Sequence, residues 1–326
     1  MIPLYLVVAA HLFGGMRTPT SLIQGASLVV IGKVQAVKPR AGTVQRVEVN
    51  VVSAPCVEGK GPRSITVHEL GDHSADYVVG ETVIFPLIPA SQSPHRDPEV
   101  PPDAWSVEQA SSEVVRLAPD EVKAAEAVVK TLCRARDPDA RASALVEVMA
   151  GPVPRLAGGA ARDLMVLQKL PPLTEPSRRA LLGLLADATR PASLRVVAAQ
   201  LAGRSGDDVL QQATAERIAV TEEPEVVASA IRALSSRPEL VEPRIVRALE
   251  GRAGAGRLAA ARFAGTRGMT SVVPQLVTLA KGPEPDAAAV ACQALVRMAS
   301  RESVTARARL ITELQPPARE ACAVAR

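Results

Sequence analysis

A stretch of about 31 residues, written four times in Ala, Leu, Val and Arg, limits this chain more than any other feature. The copies begin SLRVVAAQLAG at Ser193, EVVASAIRAL at Glu225, GRLAAARFAG at Gly256 and DAAAVACQAL at Asp286. Aligned on a small central residue they set Ala198, Ala230, Ala260 and Ala291 in register, with Ala202, Leu234, Ala264 and Leu295 one helical turn later. The offsets are 32, 30 and 31 residues. A period of that size implies a stacked array, because a single helical pair cannot bury its apolar face except against its neighbours.

The remaining composition agrees with thin, closely packed helices. Trp, Tyr and Phe number 1, 2 and 3 in 326 residues, so the aromatic walls usual in ligand pockets are scarce. The formal charge is +4, unevenly shared. Residues 20–118 carry eight basic against eleven acidic side chains, and residues 119–326 carry 29 against 23. The basic residues are spread through the repeats rather than clustered.

Upstream, the hydrophobic period changes from 3.6 to two. Ala26–Val37, Val44–Val52, Ser64–Leu70, Glu81–Ile88 and Ser112–Leu117 each read as a strand, separated by Pro- and Gly-bearing turns. Five or six short strands in about 100 residues predict a small barrel, since closure removes exposed edges. The Pro-rich segment Ala90–Asp103 reads as a mobile loop. The expected fold class is therefore α+β and multidomain: a small OB-like β-barrel over 19–118, then an α-solenoid over 119–326. Helices are expected near 120–135, 139–150, 154–170 and 175–188, followed by the pairs, whose second helices begin near Val209, Val241, Val272 and Val304.

The first residues, MIPLYLVVAAHLFGGM, form an apolar run with small residues Ala9 and Ala10 near its end, and the segment 1–18 reads as signal-peptide-like. A basic start is missing; a buried first element or a retained anchor stays open. The run is shorter than the ~20 apolar residues of a membrane span. The expectation is an exported protein, periplasmic or extracellular, or a cytoplasmic one if the segment is not a signal, with no integral span in the mature chain. Cys56, Cys133, Cys292 and Cys322 lack metal-ligand spacing. Cys292 and Cys322 lie about one repeat apart, so adjacent stacked helices could bring them together, and a bridge between them is an alternative open only to an exported chain; buried free thiols in an Ala-rich core are the favoured reading.

Two resemblances follow from these segments. The order SLVVIGKVQAV, VNVVSAPCVEGKG, ITVHEL and GETVIFPLIP resembles a small barrel of exported bacterial proteins, similar in outline to the OB-like domain of tissue inhibitors of metalloproteinases. Those inhibitors act through an N-terminal Cys on the protease metal, and the corresponding start near Ser21 has none. The repeats resemble HEAT and HEAT-like repeats, whose first helix reads approximately V-R-x-x-A-x-x-A-L and whose second often carries an early Pro, as Pro243 and Pro274 do here. The resemblance implies helix pairs that present an extended surface to a partner.

No constellation for chemistry survives scrutiny. HELGDH holds His68 and His73 five residues apart on a strand and turn, which separates them, so a solvated turn is expected there rather than a metal site. GAGRLA at Gly254–Ala259 follows a helix, not a strand, and is an inter-repeat turn. GASLVVIGK at Gly25–Lys33 has the wrong spacing for a phosphate loop. There is no Gly-x-Ser-x-Gly, and His11, His68, His73 and His95 all lie outside the repeats. Glu222 and Glu223 sit where acids favour a helix N-terminus. Arg141, Arg162, Arg195 and Arg257 mark the first helices; nearby acids and the absence of stacking aromatics argue for inter-repeat pairing rather than nucleic-acid binding.

No catalytic, cofactor-binding or metal-ligating residue is therefore identified, and no cofactor is expected. The reading is a non-catalytic protein-interaction scaffold of the bacterial cell envelope with a protein partner and no nucleic acid. Its contact residues would lie on the second helices: Gln211, Arg217, Arg244, Arg247 and Gln275. The alternatives are a HEAT-like repeat enzyme of lyase or glycosylase type, or an inhibitor-like envelope-binding barrel with the solenoid as spacer.

Overall fold

The structure, a computed structural model, describes residues 17–39, 44–70, 75–93, 95, 97–107, 113–167, 170–251, 254–316 and 318–324. The signal-peptide-like run and His73 lie outside the described residues. The chain divides into two compact units, Met1–Ser177 and Arg178–Arg326.

The first unit is built around strands whose alternating valines face one interior. Its elements are helix α1 (Pro19–Gly25), strands β1 (Leu28–Val37), β2 (Val44–Ser53), β3 (Ser64–Leu70), β4 (Thr82–Pro89), β5 (Trp105–Val107) and β6 (Val115–Leu117), and helices α2 (Val122–Arg134), α3 (Pro138–Met149) and α4 (Pro154–Met165). β1 is long enough to pair with two neighbours: Leu28–Lys33 lies antiparallel to β4, and Ile31–Val37 antiparallel to β2. β2 pairs with β3, β3 runs parallel to β5, and β5 returns antiparallel to β4. Five strands thus close in the order β1-β2-β3-β5-β4 and back to β1, an OB-like barrel, with β6 added along β4. Its interior holds Val30, Val34, Val47, Val49, Val67, Val83, Phe85 and Leu87. Tyr77 and Phe85 meet there with ring centroids 5.5 Å apart.

The segment read as a mobile loop is tied down at its base. The amide of Ala90 donates to Ala104 O at 2.8 Å and that of Ser91 to Pro102 O at 2.9 Å, while Val100 packs with Val44 and Ala90 outside the barrel. α1 departs from the sequence reading, which placed the start of the barrel at these residues. Thr18 caps it in a reciprocal bond with Ser21, and Pro19 occupies its first turn, where a missing N–H costs nothing. α1 then seats on α4. Thr18 Oγ1 lies 2.7 Å from both carboxylate oxygens of Asp163, and Thr20 Oγ1 donates to the same group. A Cβ at Gly159 would stand 3.1 Å from Thr20 Oγ1, so the absence of a side chain there lets the helices approach.

Burial raises the Asp163 pKa above the usual carboxylate range, against the opposing effect of the two threonine hydroxyls and of Arg162. The stability linked to this group is then fully present below the ordinary carboxylate range and is lost as pH rises through the raised value. Asp163→Asn keeps an acceptor for both hydroxyls without the charge. Its melting point is expected to match the parent's in acid and to exceed it at neutral pH. A gap between the two proteins that stays constant with pH would refute this.

Helix α5 (Glu175–Ala186) begins just before the division, and the second unit continues with the pairs α6 (Ala192–Arg204) with α7 (Asp208–Val220), α8 (Pro224–Ala233) with α9 (Pro238–Glu250), α10 (Ala255–Arg267) with α11 (Val273–Ala280), and α12 (Pro285–Met298) with α13 (Arg301–Glu313), followed by α14 (Ala318–Val324). First helices pack on first helices, α6 on α8, α8 on α10 and α10 on α12, and second helices likewise. All eight residues aligned in the sequence, from Ala198 to Leu295, are fully buried. Local chemistry starts each helix: Asp207 Oδ1 accepts from the amides of Val209 and Leu210 to cap α7, Ser300 closes a capping box on α13, and Pro opens α8, α9 and α12. Five residues after the aligned alanine, Gly203 and Gly265 let adjacent first helices touch through their backbones. A Cβ on Gly203 would lie 2.5 Å from Ala233 O, and one on Gly265 2.5 Å from Ala294 Cα.

All four cysteines are paired, Cys56 with Cys133 and Cys292 with Cys322, at Cα separations of 5.7 and 5.0 Å. This corrects the expectation of buried free thiols. The one-repeat spacing of Cys292 and Cys322 brings α12 and α14 together, whereas Cys56 meets α2 only because the barrel folds its β2–β3 turn back onto that helix. The last strand ends at Leu117 and α2 begins at Val122. The more compact division comes later, because α1 and this first disulfide hold α2 and α4 with the barrel. Among the described residues no helix is long and apolar enough to cross a membrane.

Candidate functional site

On the second helices, charged and amide side chains form bonds that cross from one repeat to the next. Glu216 on α7 takes Arg244 Nε at 3.0 Å and Arg244 Nη2 at 2.7 Å on one oxygen, and Arg247 Nη1 at 3.0 Å on the other. These partners lie 28 and 31 residues further on, about one repeat. Continuing along the array, Gln275 Nε2 on α11 donates to Glu250 Oε1 on α9 at 3.1 Å. Lys281, just past α11, pairs with Glu313 of α13 at 2.6 Å. The result is a ladder of polar contacts joining α7, α9, α11 and α13. Each rung is solvent-exposed enough to contribute only about 0–1 kcal/mol, so its main effect is to fix where the side chains point.

The five residues singled out from the sequence fall at different depths of this face. Arg244 and Arg247 are on the ladder, Arg247 largely exposed with 63% of its side chain accessible and Arg244 with 28%. Gln275 is half-buried on the next rung. Gln211 lies inside, on the flank of α7 that faces the core: its amide donates to Gly203 O at 3.3 Å and its oxygen accepts from Arg237 Nη1 at 2.7 Å. It braces a turn and offers no surface to a partner. Arg217 is half-buried, and its Nε has no hydrogen-bond partner among the described residues. Burial, and then the neighbouring Arg195 guanidinium, push its pKa down from the arginine range, while Glu216 acts in the opposite direction.

Arg195 itself is fully buried at the base of α6. Its Nη1 donates to Glu223 Oε1 at 2.7 Å and its Nη2 to Thr221 Oγ1 at 3.0 Å, across 28 and 26 residues. The Thr221 hydroxyl, donating to Glu223 Oε2 at 2.6 Å, is the main cause that holds the Glu223 carboxyl below its usual range, with Arg195 adding to it. This is an inter-repeat clamp at the α7–α8 turn. Glu216 is the residue that sequence reading passed over. Its signal was the repeat-length separation from two arginines, invisible until the second helices were known to stack.

Elsewhere the motifs resolve into structure. His68 lies in β3 and is buried, not in a solvated turn, with its Nδ1 lacking a hydrogen-bond partner; burial and then Arg46, opposite it on β2, depress its pKa. Gly254 and Gly256 pack against Glu222 and Thr221 at the entry to α10, as an inter-repeat turn requires. Among the described residues no three His, Cys, Asp or Glu side chains converge to hold a metal ion. The sequence matches no known protein-family model and no curated protein.

Proposed function

We propose that this protein is an exported, non-catalytic interaction scaffold of the bacterial cell envelope, with a HEAT-like helical array that holds a protein partner and an inhibitor-like barrel beside it in the chain. The observation that carries the reading is the ladder from Glu216 to Glu313, which orders charged and amide side chains over four successive second helices. Ordered side chains lose little entropy when a partner arrives, so a preorganised face is a favourable binding surface. A stacked array also offers its partner an extended face and no enclosed, water-excluding chamber for chemistry. Export is supported by the pairing of every cysteine, since such bonds persist in oxidising compartments and are rare in a reducing cytosol.

The test is fractionation and cross-linking of the full chain in its native host, with free thiols alkylated before lysis. The expected result is a chain in the envelope fraction, resistant to alkylation, and cross-linked to a defined protein. A chain recovered from the cytosol with reactive thiols, or one that enriches no protein over a bait-free control, would defeat the proposal.

A further inference from the structure

The ladder is not electrically balanced along its length. At the α7–α9 rung two guanidiniums share a single carboxylate, since Arg244 and Arg247 both bond to Glu216, and Arg217, next in sequence, is half-buried with no hydrogen-bond partner for its Nε. Glu223, at the turn after α7, is already taken by Arg195 and Thr221. Further along α9, Glu250 is taken by Gln275, and Glu242 is exposed at the margin. A carboxylate that accepts from two arginines cannot neutralise a third, so this rung keeps an excess of positive charge on a half-buried floor. Guanidinium forks suit carboxylate oxygens, which they bind in pairs.

We infer that Arg217, Arg244 and Arg247 form a docking patch for an acidic peptide segment of a protein partner. The inference rests on the scaffold reading and names the partner's chemistry. A peptide carboxylate would give Arg217 Nε the acceptor it lacks and separate that guanidinium electrostatically from Arg195. A nucleic-acid strand fits less well, because Phe263 is the only aromatic residue of the second unit and it is stacked under Arg267 on its own helix.

The test measures binding of labelled oligoglutamate to the oxidised full chain by fluorescence anisotropy, beside oligoglutamine of equal length and oligothymidine of matched charge. Oligoglutamate should bind saturably and weaken with salt, and oligoglutamine should not bind. Arg217→Gln and Arg247→Gln should each weaken binding about tenfold, whereas Arg262→Gln, on the exposed face of the first helix α10, should not. Both patch variants leave the Glu216–Arg244 pair intact, and unchanged melting confirms that they fold. Equal affinity of the patch variants and the parent, tighter binding of oligothymidine, or no saturable oligoglutamate binding at low salt would overturn the inference. If the patch variants retain the partner cross-linked by the parent chain, the scaffold reading stands without the patch; if the parent captures none, the scaffold reading itself falls.

Discussion

Ala230→Glu is expected to dismantle the helical unit. Ala230 sits on α8 with no exposed surface, between first helices α6 and α10, and its neighbours Val226, Val227 and Ile231 are equally enclosed. A glutamate there must lose its hydration or push the helices apart, and no cation lies in the fully apolar row formed with Ala198 and Ala260. An unpaired charge in such a place costs several kcal/mol, at the upper end of what single substitutions do. Because an array of this type is held by nearest-neighbour interfaces, the damage spreads to α6 and α10 rather than staying local. Gly203→Ala should be milder, about 1–3 kcal/mol, since one methyl group meets the immovable carbonyl of Ala233. Arg232→Gln, exposed on the same helix as Ala230, should stay within about 0.5 kcal/mol of the parent. Thermal unfolding followed by far-UV circular dichroism orders the three. Parent-like melting of the Ala230 variant would mean that the alanines are not the stacking seam.

That seam was legible because it is written in repetition. Four copies place a small residue at one position and Ala or Leu a turn later, and close packing of first helices demands just this; one copy would have been ambiguous. The strands were legible for a similar reason, since β1 to β4 each run long enough to show alternation. β5 is three residues long and has no period to detect, and it closes the barrel through pairings that no local pattern records. α1 carried a signal that went unread, Thr18 and Ser21 flanking Pro19, but seven residues show no helical stripe. At the candidate site, residue type and helix face were legible for Arg244 and Arg247. Depth was not: Gln211 lies on the flank that α7 turns to the core, which one helical step decides. The partners of each arginine sit about a repeat away, so the charge balance of the face emerges only from the stack.

Removing the Cys56–Cys133 bridge is expected to cause the largest loss in the first unit. The bridge closes 77 residues, from the turn after β2, through the rest of the barrel, to the last turn of α2. Restricting an unfolded loop of that length is worth about 4.5 kcal/mol in the chain-entropy account, against about 3.6 kcal/mol for the 30 residues between Cys292 and Cys322. Access differs in the same direction. Cys56 and Cys133 are half-buried, whereas Cys292 and Cys322 are sealed between α12 and α14. Mild reductant should therefore open the first bridge while the second survives until its helices separate. Trp105, the single tryptophan, lies in β5 and reports on the barrel alone. Its fluorescence should show the melting point of Cys56→Ala with Cys133→Ala falling by roughly 10 °C, with the far-UV signal of the helical unit following a separate, less shifted transition. Coincident melting of parent and variant, or four titratable thiols in the oxidised folded chain, would contradict it. The same experiment in reducing buffer measures how far the barrel depends on that one reachable bridge, and an unshifted melting point there would show that the loop-closure argument overstates its contribution.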